Sequence, residues 1–443
     1  MLDLFRKILG QRVLNYYHLV CAILANIVYG FPSRKLRVIG VTGTDGKTTT
    51  VNMIASVLRT AGFKTAHLST VDAQIGEKIY DTGLHTTTPS SFLLQKLMRR
   101  AVIAGSKYFV LEVTSHALDQ HRTWGIRFET AVLTNVSHEH LDYHKDLQSY
   151  MAAKARLFQN VEYRILNMDD QSFEFFSTLT PTLSRTGRGG VLTYGLSKAS
   201  EVWADNILES LTQTKFTAHF LDEHMLVTLN FPGKFNVYNA LAAVAVGRIY
   251  NVLPNAMVTG LEKVKGIPGR MEFLTPPSFP ARTPQAGGPP PQGEGRIPVL
   301  VDFAHTPNAI EKLMEFLRPK IAGQIIHVFG SAGERDASKR PLMGEAADRY
   351  ADIIILTRED NRRENVEDIC EEIAKGIKGK KRGEEYYIIA DRREAIKKGL
   401  ELAGQNDLVV ITGKGHEQSL NIDGQETPWD DRKVAREAIG GKQ

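Results

Sequence analysis

Cysteine is nearly missing from this chain. Cys21 and Cys370 are the only two in 443 residues, which excludes a disulfide framework and a cysteine-rich zinc site. No charge of one sign dominates: 55 basic and 50 acidic residues leave a net +5, too little to point to nucleic acid, and no basic stripe interleaved with aromatics occurs. The densest basic run, Lys378–Arg382, is followed one glycine later by Glu384 and Glu385, as in a solvated loop. The sequence shows no cleavable signal and no internal repeat, which fits a reducing, cytoplasmic setting. With 42% hydrophobic and 24% charged residues, it reads as a globular protein of two or three domains, expected to be a monomer.

Long apolar runs are scarce too, with one exception. Val13–Phe31, VLNYYHLVCAILANIVYGF, lies between Arg6, Lys7 and Arg12 on one side and Arg34, Lys35 and Arg37 on the other. It is nearly as long as the roughly 20 apolar residues a bilayer requires. Asn15, His18 and Asn26 interrupt it, and each is costly in hydrocarbon, so a docked or interfacial helix fits better than a spanning one. Peripheral contact of residues 13–31 with the inner face of a membrane is the expectation that follows.

What is present is organised around Val38–Thr50, VIGVTGTDGKTTT. A β-branched apolar run feeds a loop carrying Gly43 and Gly46, then Lys47, Thr48 and Thr49 open a helix-like segment. Strand, glycine loop and helix N-terminus together hold polyphosphate, because backbone N–H groups approach closely and the helix end adds favourable partial charge. Lys47 would reach the terminal phosphates and the Thr48 hydroxyl a Mg²⁺ ion. The spacing is G-x-x-G-x-x-G-K-T, with Val41 where the ordinary phosphate-loop pattern has its first glycine.

From Val38 to about Arg270, short apolar strands alternate with helices, implying a mostly parallel sheet. Tyr108–Val113 and Ala131–Asn135 read as strands whose ends aim Glu112 and Asn135 at the crevice of the phosphate loop. Phe235–Ile249 reads as an alanine-packed helix, and Gly266–Arg270 as an interdomain hinge. Pro276–Pro298 is too rich in Pro and Gly to pack and reads as a flexible loop between strands. From Val299 a second alternation begins. The expected fold is α/β: a P-loop-type doubly wound central domain, 37–270, a smaller Rossmann-like domain, 271–443, and a short helical segment, 1–36.

Several ordered motifs carry a family resemblance: GTDGKTT, HTTTP (85–89), LEVTSHALDQHR (111–122), LTNVSHEHLDYH (133–144), AAKARLF (152–158), FNVYNALAA (235–243), GIPGRME (266–272), VDFAHTPNAI (301–310), FGSAGERDASKRPLMG (329–344) and TGKGHE (412–417). Together they make residues 36–430 similar to the Mur ligases, the ATP-dependent amino-acid-adding enzymes of peptidoglycan synthesis, and within them to the MurE type, the UDP-N-acetylmuramyl-tripeptide synthetases. The resemblance implies transfer of the ATP γ-phosphoryl onto the carboxylate of UDP-MurNAc-L-Ala-D-Glu, then attack of an amino acid, meso-diaminopimelate or L-lysine, on the acyl phosphate. It implies that Gly43, Thr44, Asp45, Gly46, Lys47, Thr48 and Thr49 cradle the phosphates. Asn236 and Asn239 would lie near adenine, and Arg270, Asp302 and His305 would close on ribose and phosphate. Helix capping, for the asparagines, and an Arg270–Asp302 ion pair are the structural alternatives.

For metal, the resemblance implies that Thr48 and Glu112 hold one Mg²⁺ and that Glu112, His140 and Lys154 hold a second. A lysine ammonium is a donor only; in this family the corresponding lysine is carbamylated by CO₂ and becomes an anionic oxygen ligand. By residue type alone His138, His140 and His144 read equally as loop histidines; the Leu-Asp pair after His140 singles it out. The catalytic set is thus Lys47, Glu112, His140 and Lys154. Thr87, Thr88, Ser115, Gln120 and Arg122 would face the muramyl peptide, and Arg335, Asp360, Asn361, Arg363, Gly413 and Glu417 the incoming amino acid.

Three departures stand out. The D-N-P-R run of diaminopimelate-adding members is here Asp360-Asn361-Arg362-Arg363, without the proline. Asp45 replaces the usual loop asparagine and sets a negative charge beside phosphates. Only about 36 residues precede the phosphate-loop domain, where family members carry a domain for the UDP end. A Mur-like ligase acting on another muramyl or lipid-linked substrate, a folate or cyanophycin-type ligase, and a non-catalytic binding relative are the alternatives; the TSHALDQHR and GKGHE runs speak against the folate reading, and the complete Lys47, Thr48, Glu112, His140 and Lys154 set against the last.

Overall fold

The structure, a computed structural model, describes residues 2–80, 88–137, 146–179, 190–275 and 297–440, with side chains of the first helix described from Val13 on. Thr87 and His140, with His138, His144 and most of the Pro276–Pro298 stretch, lie outside the described residues. The chain divides into two compact units, one of residues 1–209 and 213–265, the other of 210–212 and 266–443.

The first unit begins with helix α1 (Leu2–Tyr29), which starts earlier than the expected 13–31. Gly30 at φ 69°, Phe31 in the left-handed region and Pro32 end it, since none of the three continues a right-handed helix. Then follow β1 (Arg37–Thr42), α2 (Lys47–Thr60), β2 (Thr65–Leu68), β3 (Ala73–Ile75), β4 (Lys78–Tyr80), α3 (Ser91–Ile103), β5 (Tyr108–Glu112), α4 (Ser115–Asp119), β6 (Phe128–Leu133), α5 (Leu147–Ala155), β7 (Tyr163–Asn167), α6 (Phe173–Ser177), β8 (Gly190–Gly195), β9 (Val202–Glu209), β10 (Thr214–Phe220), β11 (Glu223–Leu229), α7 (Lys234–Ile249) and α8 (Pro254–Glu262).

Its 11-stranded sheet has the order β11-β10-β9-β8-β7-β6-β1-β5-β2-β3-β4. Neighbours from β9 to β2 run parallel. The expected alternation fails at both edges, where β2–β4 and β9–β11 are antiparallel. The reason is local: two-residue turns join β3 to β4 and β10 to β11, with Gly76 at φ 61° and Leu221 at φ 52°, and the connections from β2 to β3 and from β9 to β10 are likewise far too short for a parallel crossover. Val38, Ile39 and Val41 of β1 are fully buried, each worth roughly 1.5–3 kcal/mol. Both neighbours of β1, β5 and β6, come later in the chain, so the loop after β1 sits where the winding direction reverses.

The second unit holds β12 (Glu272–Phe273), β13 (Val299–Asp302), α9 (Pro307–Leu317), β14 (Ile325–Phe329), α10 (Lys339–Tyr350), β15 (Ile353–Leu356), α11 (Val366–Ala374), β16 (Tyr386–Ile388), α12 (Arg392–Leu402), β17 (Leu408–Thr412), the hairpin β18 (Ser419–Ile422) and β19 (Gln425–Pro428), and α13 (Asp431–Gly440). Its six-stranded sheet, β12-β13-β17-β14-β15-β16, is parallel except for β12. Apolar side chains pack on both faces, as strands covered on two sides require.

Candidate active site

The phosphate loop leaves β1 through Gly43 and enters α2 at Gly46, whose φ of 79° is left-handed. A Cβ on Gly43 would come within 1.8 Å of the Thr134 hydroxyl, and one on Gly46 within 2.3 Å of Asn239 Oδ1. Both positions therefore demand glycine. The loop is braced from β6: Thr44 N–H donates to the Asn135 carbonyl at 2.8 Å, Asp45 N–H to Asn135 Oδ1 at 2.9 Å, and the Thr134 hydroxyl to the Asp45 carbonyl at 2.7 Å. Lys47 Nζ turns back on the loop and donates to the Gly43 and Thr44 carbonyls at 3.1 and 2.6 Å.

Thr48, in the first turn of α2, donates its hydroxyl to Glu112 Oε2 at 2.9 Å. Glu112, at the end of β5 and 1% exposed, also accepts from Thr70, by its N–H at 2.8 Å and by its hydroxyl at 2.9 Å. A carboxylate and a hydroxyl held together at a helix N-terminus are hard oxygen donors of the type that would suit Mg²⁺. Thr70 had no signal in the sequence, because nothing in a linear reading brings the loop after β2 beside the end of β5.

Lys154, on α5 and buried, donates Nζ to the Gly43 carbonyl at 2.6 Å and lies 4.2 Å from the centre of the Tyr150 ring. The phosphate loop and Lys154, 111 residues apart, thus meet directly. Thr49 is buried in the same helix turn. Asn236 and Asn239 lie on α7 against the loop: Thr50 Oγ1 donates to Asn239 Oδ1 at 3.1 Å, Asn239 Nδ2 to Asn236 Oδ1 at 3.0 Å, and Asn236 Nδ2 to the Pro232 carbonyl at 2.6 Å.

Thr88 hangs between strand ends, its hydroxyl donating to the Glu112 carbonyl at 3.1 Å, while Arg122 donates to the Thr88 carbonyl at 3.0 Å. Ser115, at the start of α4, and Gln120, just beyond it, are buried. Thr88 and Arg122 are thereby tied to each other, and the carbonyl that Thr88 reaches is that of Glu112.

In the second unit the remaining predicted residues gather at the carboxyl ends of the strands. Asp302, ending β13, accepts N–H bonds from Met271 and Ala304, both at 2.7 Å; burial raises its carboxyl above the ordinary value, against the opposing pull of Arg270. Arg270 lies over the Phe303 ring at 4.4 Å. His305 Nδ1 donates to the Phe303 carbonyl at 2.8 Å. Asp360, beyond β15, accepts from Lys414 Nζ at 2.8 Å and from the Asn421 N–H at 2.9 Å. Glu417 pairs with the same lysine. Burial alone would lower the Lys414 ammonium, but Glu417 and Asp360 outweigh it and hold it above the ordinary lysine value.

Asn361 donates Nδ2 to the Glu364 carbonyl at 2.9 Å. Gly413 has φ 108°, and a Cβ there would come within 3.0 Å of Glu359 Oε2. Arg335 is exposed, and Arg363 lies beside the hairpin glycine Gly424. Sequence reasoning passed over Lys414 and Glu359. Glu359 is buried, its Oε2 has no hydrogen-bond partner among the described residues, and burial raises its carboxyl above the ordinary value. The lysine inside GKGHE was the available signal for Lys414.

The described residues hold no cluster of three or more His, Cys, Asp or Glu side chains that could hold a metal ion.

Comparison with known proteins identifies the family. The Mur ligase middle domain matches residues 41–247, and the Mur ligase, glutamate ligase domain matches residues 291–415. The chain is 38% identical over 428 residues to UDP-N-acetylmuramoyl-L-alanyl-D-glutamate–2,6-diaminopimelate ligase of Syntrophomonas wolfei, covering 95% of this chain and 82% of that protein. It is 38% identical over 435 residues to UDP-N-acetylmuramyl-tripeptide synthetase of Roseiflexus, covering 94% and 81%. A solved UDP-N-acetylmuramoyl-L-alanyl-D-glutamate–2,6-diaminopimelate ligase is similar at a TM-score of 0.61 and 32% identity, covering 92% of this chain and 79% of that one. Folylpolyglutamate synthase of Mycobacterium tuberculosis, at a TM-score of 0.70 and 16% identity over 95% of both chains, shares the fold. With two family domains matched in order over a phosphate loop that is braced against Glu112 and Lys154, this chain belongs to the Mur ligase family of ATP-dependent, amide-bond-forming ligases.

Proposed function

We propose that this ligase adds meso-diaminopimelate to the D-glutamyl carboxylate of UDP-MurNAc-L-Ala-D-Glu in peptidoglycan synthesis. The observation that carries the reading is the joining of Lys47, Thr48, Glu112 and Lys154 around one phosphate loop, in a chain similar along its length to diaminopimelate ligases. L-lysine is the second candidate; Arg363 supplies a guanidinium for the distal carboxylate that only diaminopimelate carries.

A carboxylate is a poor electrophile, and ATP supplies the phosphoryl group that activates it. The protein's part is placement and charge neutralisation. Gly43–Thr49 present N–H groups and a helix N-terminus to the phosphates, and Lys47 swings from its loop carbonyls to their charge. Thr48 and Glu112 would hold Mg²⁺, with Thr70 fixing the Glu112 rotamer by two hydrogen bonds. Lys154, once carbamylated by CO₂, would join Glu112 and His140 as a ligand for a second Mg²⁺. Arg122, Thr87, Thr88, Ser115 and Gln120 face the muramyl peptide. Asn236, Asn239, Arg270, Asp302 and His305 attend the nucleotide, and Arg335, Asp360, Asn361, Gly413 and Glu417 the amino acid. The enzyme works as a cytoplasmic monomer at the inner face of the membrane.

The test is to incubate the protein with ATP, Mg²⁺, bicarbonate and UDP-MurNAc-L-Ala-D-Glu, offering amino acids one at a time. Phosphate release with a product heavier by one diaminopimelate residue supports the reading. Turnover with L-lysine alone replaces the amino acid, and no turnover with any amino acid overturns the substrate.

A further inference from the structure

Water-soluble helices turn apolar residues inward, and α1 does the reverse. Val13, Tyr16, Tyr17, Val20, Leu24, Ile27 and Val28 are all exposed, Tyr16 at 70% and Val28 at 66%. At 3.6 residues per turn these seven positions fall within a sector of about 120°. The opposite side is docked on the first unit, where α1 packs against α3. It is this docked side that carries polar residues: Asn26 is fully buried and donates to the Trp124 carbonyl at 2.8 Å, and Asn15 donates to Asp119 at 3.1 Å. The side-chain amide N–H groups of Asn15 and Asn26 are therefore taken up by protein, leaving an apolar stripe facing out. Such contiguous exposed apolar surface marks an interaction site.

Charge says what covers it. From Leu4 to Thr44 the sequence contains no Asp or Glu but six Lys and Arg residues: Arg6, Lys7, Arg12, Arg34, Lys35 and Arg37. Arg34 and Lys35, just past the helix, are exposed. The neighbouring α3 also lacks acidic residues and exposes Lys96, Arg99 and Arg100 together with Phe92 and Ile103. Among the described residues no helix is long and apolar enough to cross a membrane. An apolar stripe with two tyrosines, bordered by cations and devoid of anions, suits the headgroup–acyl boundary of an anionic bilayer.

We infer that the α1 stripe lies in the plane of an anionic membrane surface, with Arg34, Lys35 and the α3 cations on its headgroups. This rests on the membrane-face location proposed above and not on the choice of amino acid. The full chain is sedimented with phosphatidylglycerol–phosphatidylcholine vesicles and with phosphatidylcholine vesicles, at low and high salt. Binding to the anionic vesicles, weakened by salt, is expected. The triple variant Val20→Glu, Leu24→Glu, Ile27→Glu changes side chains that are already exposed, so it keeps the wild-type melting temperature while binding falls at least roughly tenfold. Arg34→Gln with Lys35→Gln lowers anionic binding by roughly 10- to 30-fold and leaves neutral-vesicle binding unchanged.

No sedimentation with either vesicle overturns the membrane location itself. Equal binding to both overturns the anionic recognition. Self-association in solution that Leu24→Glu disperses, without vesicle binding, assigns the stripe to a second copy of the chain and overturns the inference. Ligation assayed on the same preparations reports separately on substrate, so failure there leaves the vesicle result standing.

Discussion

The Thr48 hydroxyl donates to Glu112 Oε2 across 2.9 Å, joining the first turn of α2 to the carboxyl end of β5. That bond joins a strand end and a helix start 64 residues apart at the pair proposed above to hold Mg²⁺. Replacing Glu112 by Gln keeps the shape and removes the charge. The expected result is a loss of kcat of about 10²-fold or more, with weaker Mg²⁺-nucleotide binding by calorimetry and an unchanged circular dichroism spectrum. Retained magnesium-dependent binding in Glu112→Gln would exclude this carboxylate as a ligand.

Glycine is required at the loop turn for space as well as for φ. Gly46→Ala would place Cβ 2.3 Å from Asn239 Oδ1, and the loop must open to accept it. Gly62, at φ 84°, has nothing within 4 Å of its Cβ position and is the control, costing only about 1 kcal/mol of backbone strain. Nucleotide affinity is expected to fall in Gly46→Ala and to hold in Gly62→Ala, read by calorimetric titration of ATP analogues.

Lys154 faces the phosphate loop from a buried position, its Nζ 2.6 Å from the Gly43 carbonyl. Carbon-13 NMR with labelled bicarbonate is expected to show a slowly exchanging carbamate carbon in wild type and none in Lys154→Ala, alongside loss of ligation. A wild-type spectrum without that resonance under turnover conditions would remove the modification from the mechanism.

Arg392 and Asp431 form a fully buried bidentate pair, with Nε to Oδ1 at 2.7 Å and NH2 to Oδ2 at 2.6 Å. Arg392 also donates to the Arg358 and Thr412 carbonyls. Arg392→Met strands the carboxylate and is expected to destabilise the fold by about 3–5 kcal/mol; Arg392→Met with Asp431→Leu recovers much of that loss, because removing both charges abolishes the desolvation cost. Urea unfolding monitored by tryptophan fluorescence tests it, and simple additivity of the two single losses would refute the coupling.

His327 is fully buried, stacked on Phe329 at 4.3 Å and bonded to Thr412 Oγ1 at 2.9 Å. Burial, reinforced by Arg392, depresses its imidazolium to about 3. A histidine whose folded value is depressed contributes stability above its unfolded value, near 6.5, that is lost as pH falls toward 3. Between pH 6.5 and 5 the loss from this one residue is about 2 kcal/mol. His327→Gln is expected to flatten that part of the stability profile, with His416, depressed to about 3 by burial and Arg270, accounting for slope that remains.

Legibility differed by element. The order strand, glycine loop, lysine, threonine, helix is local, so it was legible in the sequence: Gly43 and Gly46 fall in the loop between β1 and α2, and Lys47 and Thr48 in the first turn of α2. The strands from Val299 were visible as apolar runs for the same reason. The antiparallel edges β2–β4 and β9–β11 were not, because strand direction is set by short turns that composition only weakly marks.

By itself the sequence determined the phosphate loop, the two α/β alternations and the residue types able to carry phosphoryl chemistry, since each depends on neighbours within a few positions. Only the tertiary structure decided that Thr70 holds Glu112, that Lys154 meets Gly43, that Lys414 bridges Asp360 and Glu417, and that α1 turns its polar residues inward and its apolar stripe out. Those relations are made between residues that lie apart in the chain and touch only once the sheets are wound, and a helical run carries no mark of which side its neighbours will cover.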